Sequence, residues 1–310
     1  MQLIRSIEIN YFRSIYQLRI NRLKDLNVFV GGNDSRKSNI LRALNLFFNN
    51  KISDYASMDF LQDVTHSRQA EARDAKGRLT IWIKVTFSNV EQWRSLPDYF
   101  SVKKVWNRYS NDPEVSYDIE HSNHLQRFLN KINFIYVPAV KDSNTYAKYL
   151  RVLYDTISAS DNVDLSTPAA SLSLSINEAI HSMSDRIAAA TGVNSTIDIP
   201  SDFRDLFERM SFSTKQDEFS VPLQNRGDGL QARHIPHILE FISEKNKKYN
   251  IWAYEEPENS LEMTKSFEVA RQFENDFSQK NQILVTSHSP SFYGLEGHRV
   301  EKFYVNRLWQ

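Results

Sequence analysis

The stretch FVGGNDSRKSNILRAL, residues 29–44, decides how this chain is read. LNVFV, 26–30, is a short apolar run of the kind that forms a buried strand. Gly31-Gly32-Asn33-Asp34 breaks it, and SNILRALNLFF then sets Ile40, Leu41, Leu44, Phe47 and Phe48 at helical spacing. Strand, glycine turn and helix are the context required by the pattern G-x-x-x-x-G-K-[ST]. Backbone N–H groups of the turn and the helix start converge there, and the helix dipole favours an anion. Gly31, Lys37 and Ser38 fall in register, so Lys37 offers a point charge to phosphates and Ser38 a hydroxyl to Mg²⁺. The position before the lysine holds Arg36 where the pattern has glycine. If that position needs a positive φ, a non-glycine residue costs on the order of 1–2 kcal/mol. Micromolar binding is worth about 8 kcal/mol, so the loop is expected to form and nucleotide binding to survive, with slow hydrolysis. The arginine must turn away from the phosphates or lie across them as an added cation.

Two further apolar runs end in chemistry. NIWAYEEPENSLEM, 250–263, ends its strand in Glu255-Glu256, where a first acid can hold Mg²⁺ and a second can polarise water. QILVTSHSPSF, 282–292, ends in Ser287-His288-Ser289, placing a histidine where it can sense a γ-phosphate. Between them and the first half, VPLQNRGDGLQARHIPHIL contains Gly227-Asp228-Gly229, a turn that opens a helix and makes another anion-favouring terminus.

The bulk of the sequence bounds the alternatives. The chain has 310 residues, 41% hydrophobic and 25% charged, as in soluble globular proteins. Formal net charge is zero, without the basic excess of a protein that holds nucleic acid by electrostatics alone. With no cysteine, disulfides, thiolate zinc sites and a cysteine nucleophile are excluded. No run approaches the roughly 18 apolar residues of a membrane span, and a cytoplasmic location is expected. His121-x-x-His124 and His234-x-x-His237 have metal-like spacing, but no neighbouring ligands complete a site.

Strands are expected at 2–9, Tyr16 to Ile20, 26–30, 79–87, 115–120, 132–140, 249–254, 281–286 and 300–305. Residues 51–76 read as polar and irregular. Tyr146, Tyr149, Leu150, Leu153, Tyr154 and Ile157 form a helical stripe, and 166–192 suggests one or two more helices. The chain therefore divides into 1–142, a helical insert at 143–212, and 213–310.

The order of phosphate loop, glycine-rich helix start, strand with two acids and Pro, and strand with His resembles the ATP-binding-cassette head of the SMC, RecF and OLD (overcoming-lysogenization-defect) ATPases. That resemblance implies an α/β fold, an ABC-ATPase head (P-loop NTPase) with mixed sheet, flanking helices and a helical insert. It makes 29–39 the Walker A segment, so Gly31, Asn33, Asp34, Ser35, Arg36, Lys37, Ser38 and Asn39 inherit nucleotide contacts. Arg13 matches the arginine of the family's "NFRS" segment, which lies near the nucleotide. Glu255 takes the metal-side position, where relatives usually have Asp, and shares Mg²⁺ with Ser38. Glu256 takes the catalytic glutamate position, His288 the switch histidine, and NSLE from Asn259 the D-loop. Gly227, Asp228 and Gly229 stand where the signature motif touches ATP of the opposite subunit. The implied protein binds ATP and Mg²⁺, hydrolyses ATP with Lys37, Glu256 and His288, and forms a homodimer around nucleotide.

GGNDSxKSNILRALNLFF, the YVPA strand and EEPENSLE most resemble OLD-like and retron- or Septu-type antiphage ATPases. There the head would control a DNA-directed or nuclease effector in trans, with DNA as a further partner. Full OLD proteins continue into a TOPRIM nuclease; no acidic cluster for it follows His288. Two rivals stay open: a non-hydrolysing nucleotide switch, supported by Arg36, and a RecF-like DNA-repair ATPase.

Overall fold

Hydrophobic alternation and continuous apolar runs build a pair of five-stranded sheets, one antiparallel and one parallel. The computed structural model describes residues 2–32, 36–54, 56–75, 78–120, 122–141, 143–159, 166–193, 209–216 and 219–305. The chain divides into two compact units, Met1–Lys141 with Asp228–Pro236 and Lys247–Gln310, and Asp142–Gly227 with His237–Asn246.

The first unit begins with β1 (Ile4–Phe12), β2 (Ile15–Asn21), β3 (Leu26–Val30) and α1 (Lys37–Asn49). It continues through α2 (Phe60–Asp63), α3 (His66–Ala75), β4 (Thr80–Ser88), β5 (Tyr99–Asn107) and β6 (Ser110–Tyr117) to α4 (Asn123–Asn130) and β7 (Ile132–Val137). The second unit holds α5 (Ser143–Ser158), α6 (Ser166–Ala179), α7 (His181–Thr191) and the hairpin β8 (Ser213–Gln216) and β9 (Phe219–Pro222). Helix α8 (Asp228–Lys245) starts in the first unit and ends in the second. The first unit closes with β10 (Tyr249–Glu255), α9 (Met263–Asn275), β11 (Gln282–Ser287), α10 (Pro290–Tyr293) and β12 (Val300–Tyr304).

The antiparallel sheet has the order β2-β1-β4-β5-β6, and the parallel sheet β12-β3-β11-β10-β7. Burial follows from these environments. β4 alternates, with Ile81, Ile83, Val85 and Phe87 buried and the intervening residues half-buried. β3, β10 and β11 are buried along their whole length, as parallel strands covered on both faces are. Helix α1 buries Ile40, Leu41, Leu44, Leu46 and Phe47 in the core shared by both sheets. Phe48 stacks on Phe134 of β7 with ring centres 4.6 Å apart. Buried Gln282 ties the sheets, accepting from the Ile4 amide and donating to the carbonyls of Ile4 and Lys24.

Several elements differ from the sequence reading. Residues 51–76 contain α2 and α3 rather than irregular chain. Asp59 caps α2 by accepting from the amides of Leu61 and Gln62. α3 shows no apolar stripe; Glu71 accepts from the Tyr16 hydroxyl, and Arg68 lies over the Tyr11 ring. β5 was not foreseen because Lys103 and Lys104 interrupt its pattern. Lys103 sits 4.1 Å from the centre of the Trp82 ring, and Lys104 donates to the Phe47 carbonyl in the last turn of α1. The strand expected at 115–120 is β6, displaced toward the N-terminus, and the strand expected at 132–140 stops at Val137, before Pro138. α4 and the β8–β9 hairpin were likewise unforeseen.

Candidate functional site

Parallel pairing brings the carboxyl ends of β3, β11, β10 and β7 to one edge, the place where open α/β sheets bind ligands. At the end of β3 the chain turns through Gly31 and Gly32 into α1. Asn33, Asp34 and Ser35, expected to contact nucleotide, lie outside the described residues, as does His121. Arg36 has φ 71° and ψ 6°, the left-handed conformation that the glycine of the pattern supplies. The arginine thus occupies a glycine geometry, and it lines a cavity of about 210 Å³ with Leu18, Ile20, Phe29, Phe303 and Val305.

Lys37 is buried, and its Nζ donates to the carbonyls of Gly31 at 2.8 Å and Gly32 at 2.9 Å. Burial lowers its ammonium from the ordinary value, while Glu256 and Glu258 pull it back up. Asn39 donates to the Ser14 hydroxyl at 2.7 Å, which joins the phosphate-loop helix to the β1–β2 turn. Arg13 lies in that turn with φ 49°, and its Nε is 2.7 Å from Oδ1 of buried Asp63.

Glu255 ends β10 with its side chain 3% exposed. Its Oε1 accepts from the Tyr136 hydroxyl at 2.7 Å and lies 3.6 Å from Nε of Arg42. Burial raises its carboxyl, against the opposing effects of Arg42, Tyr136, the Ala139 backbone and the Ser38 hydroxyl. Ser38 of α1 and Glu255 of β10 are therefore brought together. Arg42 follows Ser38 by one helical turn, and the sequence reading passed over it and Tyr136.

Glu256 leaves the strand with φ 44°, and its amide donates to the Thr286 carbonyl at 2.9 Å. That turn aims its carboxylate at His288, whose Nδ1 is 3.6 Å from Oε1 of Glu256. Glu258, which the sequence reading left without a role, is buried. Its Oε1 accepts from the Ser287 hydroxyl and from the His288 amide at 3.1 Å. Its Oε2 is buried without a hydrogen bond. Its place two residues after Glu256 was the only signal available. Lys141, in the loop after β7, was also passed over; Glu258, Glu255 and Glu256 act on it.

Gly227 caps α8 with extended backbone and Asp228 occupies its first turn. A Cβ on Gly229 would stand 2.7 Å from the Ser260 carbonyl oxygen, so glycine lets the helix start approach the turn after Glu256. Ser260 itself has φ 65°.

The donor set suits Mg²⁺. Ser38 and Glu255 offer hard oxygens side by side, and Glu258 keeps one buried carboxylate oxygen without a partner. Among the described residues no group of three or more His, Cys, Asp or Glu could hold a metal. Among the described residues no helix is long and apolar enough to cross a membrane.

The AAA ATPase domain family matches residues 1–166 and 96–293. An uncharacterised protein of Methanocaldococcus jannaschii, MJECL44, is 50% identical over 48 residues, 16% of this chain and 14% of that protein. This match spans well under two thirds of that relative's length. A crystallised Smc head bound to the C-winged-helix domain of ScpA matches 94% of this chain and 91% of its own, with TM-score 0.58 and 16% identity. The Smc head domain with an extended coiled coil from Pyrococcus furiosus, bound to the C-terminal domain of ScpA, covers 94% and 91% with TM-score 0.55 and 12% identity. The recombination mediator RecF bound to ATP covers 98% and 97% with TM-score 0.53 and 12% identity. At these identities the likeness shows the fold, that of the SMC and RecF ATPase heads.

Proposed function

The chain belongs to the AAA ATPase domain family, and from that premise we propose that it binds MgATP at the carboxyl edge of its parallel sheet and hydrolyses it. The geometry that supports this reading is at one sheet edge: Lys37 donates to the Gly31 and Gly32 carbonyls at the end of β3, and Glu256, in the turn after β10, has its Oε1 3.6 Å from Nδ1 of His288 after β11. Lys37 exchanges the carbonyls of Gly31 and Gly32 for the β- and γ-phosphates. Ser38 and Glu255 would hold Mg²⁺, which would neutralise charge on the phosphates. Glu256 takes a proton from water as the water oxygen bonds to the γ-phosphorus and the bond to the β-phosphate bridge oxygen breaks. ADP and inorganic phosphate result. His288 orients Glu256 and faces the departing phosphate. Arg13 and Asn39 support the nucleotide side, together with Asn33, Asp34 and Ser35.

Two copies would enclose two nucleotides, with Gly227, Asp228 and Gly229 of one copy meeting ATP held by the other. The 143–212 block is read as a helical insert between the halves of the head. The motif run GGNDSxKSNILRALNLFF and the EEPENSLE block support an OLD-like assignment, with antiphage defence as the setting, a nuclease effector in trans and DNA as a further partner. A non-hydrolysing switch is the second reading, favoured by Arg36 in the glycine position.

Measuring ATP binding beside phosphate release, for wild type and Lys37→Ala, separates these readings. Binding with turnover, both lost in the variant, is expected. Binding without turnover would establish the switch, and absence of ATP binding would end both.

A further inference from the structure

Glu258 stands two residues after Glu256, yet its side chain turns back to the end of β11. Pro257 between them has a fixed φ, and the Asn259 amide donates to the Glu256 carbonyl at 3.0 Å, which closes the turn. From there Oε1 of Glu258 accepts from the Ser287 hydroxyl and from the His288 amide at 3.1 Å. The Ser287 hydroxyl in turn accepts from the Ser289 amide at 3.0 Å. One carboxylate oxygen therefore braces residues 287–289, the segment from which the His288 ring projects. That ring lies near two carboxylates, with Nδ1 3.6 Å from Oε1 of Glu256 and 3.9 Å from Oε1 of Glu258. The His288 side chain is 47% exposed, so packing alone does not fix it, whereas that of Glu258 is 5% exposed. The other oxygen of Glu258 is buried without a hydrogen bond, which opposes folding. Bracing alone would be served by a neutral acceptor. A carboxylate strengthens the two hydrogen bonds that place the histidine.

We propose that Glu258 is a positioning residue for hydrolysis: by accepting from the Ser287 hydroxyl and the His288 amide, it holds the His288 ring against Glu256. The proposal rests on the ATP hydrolysis reading above and deepens it. In this role Glu258 takes no proton and contacts no phosphate; it acts through His288. The turn after β10 thus carries both the base and the group that sets the base's neighbour on β11.

The test measures phosphate release, ATP binding and thermal unfolding for wild type, Glu258→Ala, Glu258→Gln, His288→Ala and the double variant Glu258→Ala with His288→Ala. A misplaced ring predicts turnover lower by about 10-fold in Glu258→Ala, with ATP affinity unchanged. Glutamine keeps an acceptor oxygen, so Glu258→Gln should recover most of that loss. A merely structural role would add the same loss in any background, whereas a role exerted through His288 disappears once the ring is gone. Glu258→Ala should therefore add little to His288→Ala. Equal fold-losses in the two backgrounds overturn the proposal, and so does wild-type turnover in folded Glu258→Ala or a Gln variant as slow as the Ala variant. If Glu258→Ala does not fold, Glu258→Asp carries the same test, because it keeps the charge and withdraws the acceptor by one methylene. It should slow turnover in the presence of His288 and not in its absence; wild-type turnover in Glu258→Asp overturns the assignment. Wild type that binds ATP but releases no phosphate would instead remove the hydrolysis reading, and this proposal with it.

Discussion

The Nδ1 atom of His288 lies 3.6 Å from Oε1 of Glu256, although the two residues leave different strands of the parallel sheet. β10 and β11 pair in register with Glu255 opposite Thr286, so Glu256 leaves its strand beside Ser287, one residue before His288. Backbone strain at Glu256, with φ 44°, completes the approach. If this pair performs the chemistry, Glu256→Gln should bind ATP, lower phosphate release by about 100-fold or more and, if two copies enclose nucleotide as proposed, prolong that dimer. His288→Ala should lower turnover by a smaller factor with ATP binding retained. Phosphate-release and gel-filtration measurements check both; unchanged turnover in Glu256→Gln would remove it from the role of base.

Arg36 makes a separate prediction about the phosphate loop. Its φ of 71° is strained for any residue with a Cβ. Arg36→Gly relieves that strain but adds unfolded-chain entropy, so stability should stay within about 1 kcal/mol of wild type. Arg36→Val should cost about 1–2 kcal/mol, because a β-branched residue is least tolerated there. Urea unfolding measures both. If the arginine slows hydrolysis, Arg36→Gly should also release phosphate faster; an equal or slower rate would clear the arginine of that effect.

Burial raises the Glu255 carboxyl above its ordinary value of 4.5. Its protonated form therefore favours the folded state. That stabilisation is complete below the unfolded value and is lost as pH rises through the folded one. In nucleotide-free, Mg²⁺-free protein, Glu255→Gln should raise Tm at pH 7, with the gain shrinking as pH falls toward 4.5. The same variant should weaken the Mg²⁺ dependence of ATP binding. A Tm below wild type at pH 7 would show that the pairing with Arg42 outweighs burial.

Gly229 is expected to resist substitution. A methyl group there would meet the Ser260 carbonyl at 2.7 Å and the Leu261 side chain at 3.3 Å. Overpacking of this kind costs about 1–3 kcal/mol. Gly229→Ala should therefore lower stability and phosphate release together, as read by thermal unfolding and turnover, whereas Gly227→Ala should spare stability because its Cβ would enter open space.

The sequence by itself determined the elements whose signal is local. The apolar runs of β3, β10 and β11, the 3.6-residue stripe of α1 and the acids and histidine that end the strands are legible because burial on both faces demands continuous hydrophobicity. What only the tertiary structure decided depends on partners distant in the chain. β5 hides behind two lysines that find a tryptophan ring and a helix carbonyl, and α3 has no apolar stripe to show. Arg42 and Tyr136 acquire their meaning from Glu255, and Lys141 from three carboxylates more than a hundred residues away. A local pattern records how a residue is buried; its charge environment is set by whichever strand the parallel sheet places beside it.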